Sequence, residues 1–213
     1  DIGRIHYEGL RFYGGGETLE QIAEANRRHD LLPGGSALFV GAGGPMGQMH
    51  VQRALEVTNR PKRVVVTDLD RGRLDHMQQR FGDLARQNGV ELFTLAPSDV
   101  STPDGMGEAL RSLAPEGYTD IVICAPLARL VPDMLPYAAD NCFVNIFAGV
   151  GIGKTAEVEL ANLCRGAKLI GSSGSRISDL RKVLSMVESQ ELNTDFSVAA
   201  IGGLNAAREG LEG

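Results

Sequence analysis

The residues whose types and spacing indicate chemistry lie at 41–47, where the sequence reads Gly-Ala-Gly-Gly-Pro-Met-Gly. Glycines let a chain turn tightly and let backbone N–H groups approach a pyrophosphate, and the N-terminus of a following helix adds partial positive charge. Proline suits the first turn of that helix, where a backbone N–H is not needed. We therefore predict a dinucleotide-binding turn that uses Gly41, Gly43, Gly44, Pro45 and Met46.

The spacing of this turn departs from the strict Gly-x-Gly-x-x-Gly fingerprint. Met46 holds the position of the third glycine, and Gly47 follows it. A glycine-rich turn that binds no ligand is the alternative interpretation of the segment.

A carboxylate after the next apolar run supplies a second part of such a site. Asp68 follows residues 63–67, which include three consecutive valines, at about the spacing expected for the acid that binds an adenosine ribose. A carboxylate accepts hydrogen bonds from ribose hydroxyls and repels a 2′-phosphate, so Asp68 favours NAD over NADP. Arg71 and Arg73 lie nearby and soften this preference, which leaves NADP possible. A helix N-cap is the alternative role of Asp68, although Asp70 could fill it.

Two other functions share these features. Methyltransferases that use S-adenosylmethionine also combine a glycine turn with a following acid, and they typically need an antiparallel seventh strand after the sixth. The apolar run at 196–201 is the candidate for such a strand. A dinucleotide-sensing module without catalysis is the third possibility.

Small residues at other strand ends are further candidates for cofactor contacts. Ligands of open α/β sheets bind at the carboxyl ends of the strands, where small side chains let a flat cofactor approach the backbone. This predicts contacts from Ala125, Pro126, Phe147, Ala148 and Gly149. Ordinary turns are the alternative at each of these positions.

Catalytic and metal-binding residues are not identified from the sequence. His50 lies inside the first helix after the glycine turn, and we interpret it as a packing residue rather than a proton carrier. Cys124, Cys142 and Cys164 are widely spaced and form no Cys-x-x-Cys pair, so neither a zinc site nor a disulfide framework is predicted.

The elements that must position these residues alternate along the chain. An α/β fold with a mostly parallel sheet follows from strands alternating with helices, and six strands suit a doubly wound Rossmann fold. The predicted strands are 36–40, 63–67, 90–95, 121–125, 142–147 and 168–170, and the predicted helices are 45–57, 71–87, one starting at Thr102-Pro103, 130–139 and 180–187. We predict a Rossmann domain over residues 36–213.

Residues 1–35 form a separate N-terminal extension. An apolar strand at 10–13, a glycine turn at 14–16 and a helix repeat the layout of the sixth strand at 168–170 with its turn at 171–175. The extension is therefore either the end of a preceding Rossmann-like domain or a linker docked on this one. An exposed strand needs a partner, and the edge of the sixth strand is the natural one.

Composition excludes several classes of protein. The chain has 213 residues and a formal charge of −6, with 27 acidic against 21 basic residues, which argues against nucleic-acid binding. No apolar run approaches the roughly 18 residues of a membrane helix. The odd, dispersed cysteines favour a reducing compartment, so we predict a cytoplasmic protein. The chain opens on Asp1, which is consistent with a fragment.

The sequence resembles a known family. Residues 37–82, with the glycine turn, the valine run, Asp68 and Arg73, are similar to the cofactor half of zinc-type medium-chain alcohol dehydrogenases. Residues 144–149 and 169–175 resemble the last two strands of the polyol and sugar-phosphate branch, which includes sorbitol dehydrogenases and L-sorbose-1-phosphate reductase.

The resemblance implies an oxidoreductase that transfers hydride between nicotinamide and a carbinol carbon of a small alcohol, polyol or sugar phosphate. It implies that Asp68 and Arg73 lie along the adenosine, and that the protein is a homodimer joined through the edge of its sixth strand. The family's catalytic zinc is held in a preceding GroES-like domain, to which no residue of this chain corresponds. We therefore expect this chain to bind the cofactor, to lack zinc and to show no turnover alone.

Overall fold

The computed structural model describes residues 1–15, 18–25, 28, 30–102, 104–195, 198 and 201–212. It divides into two compact units, Asp1–Ser175 and Arg176–Gly213. Three sequence predictions fall partly outside the described residues: the glycine turn at Gly16, the helix start at Pro103 and the apolar run that begins at Phe196.

The first unit contains all the strands of the described chain. Its elements are α1 (Ile2–Glu8), β1 (Phe12–Tyr13), α2 (Leu19–Ala25), β2 (Ser36–Val40), α3 (Pro45–Glu56), β3 (Arg63–Thr67), α4 (Arg71–Gln87), β4 (Glu91–Leu95), α5 (Gly105–Leu113), β5 (Tyr118–Ile123), α6 (Leu130–Met134), β6 (Ala138–Ile146), α7 (Leu160–Cys164) and β7 (Lys168–Ile170). Short 3-10 turns lie at Pro97–Asp99 and Leu135–Tyr137. The second unit contains α8 (Ile177–Glu188), a 3-10 turn at Leu204–Ala206 and α9 (Ala207–Glu212).

The strands form one sheet in the order β1-β7-β6-β5-β2-β3-β4. The six strands from β2 to β7 are parallel, and their order is that of a Rossmann fold, which confirms the predicted fold class. The sheet has seven strands rather than six because β1 of the N-terminal extension pairs antiparallel with β7, with Phe12 opposite Leu169. The predicted pairing of the extension with the edge of the sixth strand is therefore present.

Apolar side chains cover both faces of the sheet. On one face, Leu38, Ile121 and Val144 join a core with residues of α5 and α6, including Leu110 and Val131. The opposite face carries α3 and α4, whose buried side chains include Val51, Leu55, Leu74, Met77 and Phe81. Because parallel strands are buried on both faces, they read as the unbroken apolar runs seen in the sequence.

Several boundaries differ from the sequence predictions. The predicted helix at 130–139 stops at Met134 and tightens into the 3-10 turn that contains Pro136, since proline offers no N–H to continue the helix. Strand β6 consequently begins at Ala138 instead of Cys142, and β5 runs from Tyr118 to Ile123 rather than from 121 to 125.

Helix α1 is an element that the sequence analysis missed. Its buried residues are Ile2, Gly3, Ile5 and His6, and it ends at Gly9, whose φ of 63° is left-handed. A seven-residue helix gives too short a pattern to distinguish from a loop by periodicity. No helix of the described residues is both long and apolar enough to cross a membrane.

Candidate functional site

The glycine turn joins the carboxyl ends of three strands. Gly41 has a φ of 68°, and a Cβ at this position would lie 2.6 Å from the Cβ of Ala125, just beyond β5. The N–H of Ala42 donates to the carbonyl of Thr67 at the end of β3, at 3.0 Å. Pro126, the next predicted contact residue, is exposed at the same edge.

Asp68 is in direct contact with the glycine turn. The backbone N–H of Gly43 donates to Oδ2 of Asp68 at 2.8 Å, and the N–H of Asp70 donates to Oδ1 at 3.0 Å. A Cβ on Gly43 would lie 2.9 Å from the Cβ of Arg73, so only glycine fits between the two side chains. The structure thus brings together Gly43, Asp68 and Arg73, and their binding of a cofactor stays a prediction.

Asp70, and not Asp68, caps the N-terminus of α4. Oδ1 of Asp70 accepts a hydrogen bond from the N–H of Arg73 at 3.1 Å, which is the N-cap geometry of α4. Asp68 is therefore available for a ligand at the end of β3.

Gly47 takes the packing role of the third glycine. A Cβ on Gly47 would overlap the backbone of Ala42, so α3 approaches the turn closely at this position. Met46, the predicted contact residue, is 53% exposed. Gly44 is the N-cap of α3, and a Cβ added to it would meet no atom within 4 Å, so its backbone is open to a ligand. The packing role of Gly47 is not evident from the sequence. One extra residue in the turn places this glycine one position beyond the third glycine of the fingerprint.

The two arginines near Asp68 have different surroundings. Arg71 donates a hydrogen bond to Thr94 of β4 at 2.9 Å, and it pairs with Asp75 of its own helix at 2.8 Å and with Asp99 of the following 3-10 turn at 2.6 Å. Arg73 is exposed, with its Nε 3.6 Å from a carboxylate oxygen of Asp70. Arg73 is thus the freer of the two to meet a nucleotide.

His50 packs against Phe147. The two rings meet edge to face, with centroids 4.2 Å apart. Burial, followed by the nearby charge of Arg53, lowers the pKa of His50. These contacts agree with the interpretation of His50 as a packing residue, and they place Phe147 beside α3.

Helix α1 lies over the carboxyl end of β6. Nδ1 of His6 is 3.1 Å from the carbonyl oxygen of Ile146, and a Cβ on Gly149 would lie 2.8 Å from Oη of Tyr7. The N–H of Ala148 donates to the carbonyl of Ile123 at 2.9 Å. Of the predicted strand-end contacts, Ala148 is therefore buried, whereas Gly149 is exposed beside the hydroxyl group of Tyr7, a neighbour that the sequence does not predict.

A cavity of about 350 Å³ lies against the sheet, away from the glycine turn. Arg28 forms an ion pair with the buried carboxylate of Asp120 in its wall. The described lining includes no residue of the turn at 41–47; it is formed by Arg11, Tyr13, Arg28, Asp30, Leu31, Phe39, His50, Arg53, Asp120, Ile121, Val122, Phe143, Asn145, Ile170, Gly171 and Ser172.

The cysteines of the chain do not fit a catalytic zinc ion. Cys142 is buried and Cys164 is exposed, and burial raises the pKa of Cys124 to about 12, which disfavours the thiolate that binds zinc. Within the described ranges, no three His, Cys, Asp or Glu residues are placed to share a metal ion.

The strand that a methyltransferase typically adds after its sixth is not found in the described part of the second unit. The antiparallel strand of this sheet is β1, which precedes the Rossmann strands in sequence. Phe196, Ser197, Ala199 and Ala200 of the candidate run lie outside the described residues.

Three curated proteins are similar in sequence to the chain, although no family model matches it. The uncharacterized protein YggP of Escherichia coli K12 is 30% identical over 196 residues. A mannitol-1-phosphate 5-dehydrogenase of Aliivibrio fischeri is 26% identical over 181 residues, and an L-sorbose 1-phosphate reductase of Klebsiella pneumoniae is 25% identical over 199. The alignments cover 90%, 83% and 89% of this chain but 45%, 42% and 45% of those proteins. The chain therefore spans about half the length of the curated relatives it matches.

Solved structures share the fold. An Escherichia coli CFT073 protein described as a short chain alcohol dehydrogenase, complexed with NADH, superimposes with a TM-score of 0.65 at 16% identity, covering 85% of this chain and 49% of that one. A zinc-binding dehydrogenase of Sinorhizobium meliloti 1021 bound to NADP gives a TM-score of 0.57 at 19% identity, covering 85% of this chain and 54% of that one.

Proposed function

We propose that the chain is the NAD(P)-binding unit of an oxidoreductase of the zinc-type medium-chain alcohol and polyol dehydrogenases, because it is similar in sequence to a mannitol-1-phosphate 5-dehydrogenase and an L-sorbose 1-phosphate reductase. The family resemblance inferred from the sequence is confirmed by the polyol-phosphate and sugar-phosphate relatives. The substrate, the zinc and the complete reaction belong to the proposal, since the chain spans about half of those relatives.

The contact between the glycine turn and Asp68 carries the proposal. The Gly43 N–H and the Asp68 carboxylate are 2.8 Å apart at the carboxyl edge of the sheet, and Gly44 opens the N-terminus of α3. Backbone N–H groups at a helix N-terminus bind a pyrophosphate, and a carboxylate at the end of the second strand of the fold binds ribose hydroxyls. Asp68 repels a 2′-phosphate, which makes NAD the preferred cofactor, with NADP binding more weakly.

The residues of this chain bind and orient the cofactor, and they do not catalyse the hydride transfer alone. The nicotinamide cofactor, when bound, accepts or supplies the hydride. The glycine turn holds its pyrophosphate, Asp68 and Arg73 hold its adenosine, and the strand ends at Ala125 and 147–149 border the sheet edge along which the rest of it would lie. A small alcohol, polyol or sugar phosphate is the proposed substrate, with zinc held by another part of the intact enzyme.

A homodimer and a cytoplasmic location remain predictions. The edge of β7 that joins subunits in the family is hydrogen-bonded here to β1. A second copy of the chain that approached this side of the sheet would therefore meet β1 first.

Titration of the purified chain with NADH and NADPH, followed by nicotinamide fluorescence, tests the proposal. We expect saturable NADH binding, weaker NADPH binding and no displacement by S-adenosylmethionine. Binding of S-adenosylmethionine in place of either nucleotide would instead support the methyltransferase alternative.

A further inference from the structure

A buried lysine begins strand β7. Lys168 is 5% exposed, and lysine is almost never buried to this extent unless it is paired with a negative charge. Within the ranges that the structure describes, its ammonium group has no hydrogen-bond or ion-pair partner. Nζ of Lys168 lies instead 4.9 Å from the centroid of the Phe143 ring. The interior of the described chain thus holds a cation whose charge no carboxylate of that part offsets.

The buried carboxylate of the same region already has other partners. Asp120 lies opposite Phe143 in the β5–β6 pair, where its Oδ1 pairs with Arg28 and its Oδ2 accepts the N–H of Leu32 at 3.0 Å. Arg28 also lies over the Phe143 ring, with Cζ 4.7 Å from the centroid. Burial, followed by the charge of Arg28, lowers the pKa of Lys168. Both effects oppose the charged form of the lysine, and an anion beside it would offset them.

Lys168 lines a cavity of about 180 Å³, which we call the Lys168 cavity. The described part of its wall comes from the end of β1 with Gly14 and Gly15, from α2 and from Asn141 of β6. A cavity of about 150 Å³ is large enough to hold a molecule of the size of benzene. The Lys168 cavity therefore has room for an anionic group and a short carbon chain attached to it.

The glycine side of the Lys168 cavity is fixed by close packing. The N–H of Gly14 donates to the carbonyl of Ala167 at 3.1 Å, and a Cβ on Gly14 would overlap the backbone of Leu163. Gly15 has a left-handed φ of 70°, and a Cβ there would lie 2.7 Å from Cα of Gly166. The wall is therefore preformed, as it is in most sites that bind small molecules.

The Lys168 cavity and the cofactor turn at 41–47 lie at opposite ends of the strands. Lys168 is the first residue of β7, and Asn141 precedes Phe143, which is the first residue of β6 to pair with β7. The cofactor turn follows the carboxyl end of β2. An anion held by Lys168 is therefore not the pyrophosphate of the proposed cofactor.

We propose that the Lys168 cavity is a second anion site, in which the Lys168 ammonium group binds a small oxyanion, either a phosphate group or a carboxylate, with the side-chain amide of Asn141 as a further donor. A lysine ammonium group binds such groups as a point charge. One wall belongs to the N-terminal extension and the other to β6 and β7. A bound oxyanion therefore joins the extension to the sheet.

NMR of the purified chain with labelled lysine side chains, titrated with inorganic phosphate at constant ionic strength, tests the proposal. The sequence contains four lysines, so the spectrum is simple, and Lys168→Met identifies the Lys168 signal. We expect that signal to shift saturably, while the signals of the exposed Lys62, Lys154 and Lys182 shift little. Titration with malonate separates the two sources of oxyanion: saturation by malonate alone assigns a carboxylate, and saturation by phosphate assigns a phosphate group. A Lys168 signal that neither anion saturates overturns the proposal.

Thermal unfolding of Lys168→Met in phosphate gives an independent measurement. Methionine has a similar length without the buried charge, so this variant should fold. We expect it to bind phosphate about tenfold or more weakly, because hydrogen bonds to charged groups are the stronger ones. Phosphate should therefore raise the Tm of the native chain more than that of the variant, since a ligand of the folded state stabilises it.

The matched control is Lys62→Met, which removes an exposed lysine and should respond to phosphate as the native chain does. General stabilisation by phosphate, and any phosphate at the cofactor turn, is common to all three chains and cancels in the comparison. An equal rise of Tm in the native chain, Lys168→Met and Lys62→Met contradicts the oxyanion site.

Titration of Lys168→Met with NADH separates this proposal from the proposed function. The variant should bind NADH with native affinity, because the cofactor turn and Asp68 are unchanged. Failure of the oxyanion site therefore leaves the cofactor proposal untouched, and a chain that binds no NADH can still bind phosphate at Lys168.

Discussion

At the scale of single residues, Asp68 organises the candidate cofactor site without a ligand present. Its two carboxylate oxygens accept hydrogen bonds from the N–H groups of Gly43 and Asp70, which fix the carboxylate at the end of β3. A side chain that is already oriented loses little freedom when a ribose binds, and such preorganisation favours affinity.

The variant Asp68→Asn should therefore weaken NADH and strengthen NADPH relative to the native chain. We expect about tenfold or more loss of NADH affinity, because hydrogen bonds to a charged acceptor are the stronger ones, and the loss of negative charge removes the repulsion of a 2′-phosphate. Fluorescence titration measures both affinities. The matched control is Asp70→Asn, which keeps the N-cap of α4 and should bind as the native chain does. An Asp68→Asn variant with unchanged affinities would remove Asp68 from the site.

His50 should make stability depend on pH. Burial and the charge of Arg53 hold its pKa below the ordinary value in the folded chain, whereas the unfolded chain titrates near about 6.5. The unfolded chain then binds the proton more readily, so the contribution of His50 is fully present above about pH 6.5 and is lost as pH falls through the lower folded pKa.

Urea unfolding at a series of pH values checks this expectation. The free energy of unfolding should decrease below about pH 6.5, and His50→Gln should reduce that decrease. His76→Gln, on the exposed side of α4, is the matched surface control. A profile that is the same with and without the His50 imidazole would show that other groups cause the decrease.

At the scale of elements, two glycines of the same turn have separable roles. Gly44 is open to solvent at the N-terminus of α3, while Gly47 is pressed against the backbone of Ala42. One position is therefore suited to binding and the other to packing.

The substitutions Gly44→Ala and Gly47→Ala should separate these roles. Gly44 has a φ of −77°, which alanine adopts freely, so its variant should fold normally but bind NADH at least about tenfold more weakly as the methyl group occupies the pyrophosphate approach. Gly47→Ala should cost about 1–3 kcal/mol of stability through overpacking. Unfolding curves and NADH titrations of both variants give the comparison. A Gly47→Ala chain as stable as the native chain would contradict the packing role of Gly47. A Gly44→Ala chain with native NADH affinity would contradict the binding role of Gly44.

The elements also show how much of the structure can be predicted from the sequence. The β-branched run at 63–67 and the stripe of Leu74, Met77 and Phe81 identify β3 and α4 to the residue, because burial on a sheet or on one helix face leaves a regular pattern. Helix α1 is not predicted from the sequence, because Ile2 and Ile5 are buried in a core formed with residues far along the chain. They do not form a local periodic pattern that would indicate a helix. In the candidate site, residue types reveal the turn and Asp68, but the role of Gly47 depends on a backbone distance that no spacing rule contains.

At the scale of the whole molecule, binding and turnover should be separable. Among the described residues, no three of His, Cys, Asp or Glu are placed to hold the zinc that the family resemblance implies. We expect the chain to bind NADH yet to form none from NAD and sorbitol, as followed by NADH absorbance. The same assay on a sorbitol dehydrogenase is the positive control. Clear turnover by these residues alone would show that the chemistry needs no further domain.

The antiparallel pairing of β1 with β7 has a consequence for how the protein is made. His6 contacts Ile146 across 140 residues of chain, and Gly153 binds the carboxylate of Asp1 across 152. At roughly 5–20 residues per second of synthesis, the ribosome takes on the order of ten seconds to produce these partners after α1 has been made. During that interval Ile2 and Ile5, which are buried in the folded chain, have no sheet to cover them. A nascent chain of this protein therefore carries an uncovered apolar segment, which makes residues 1–13 a target for chaperones until translation reaches β7.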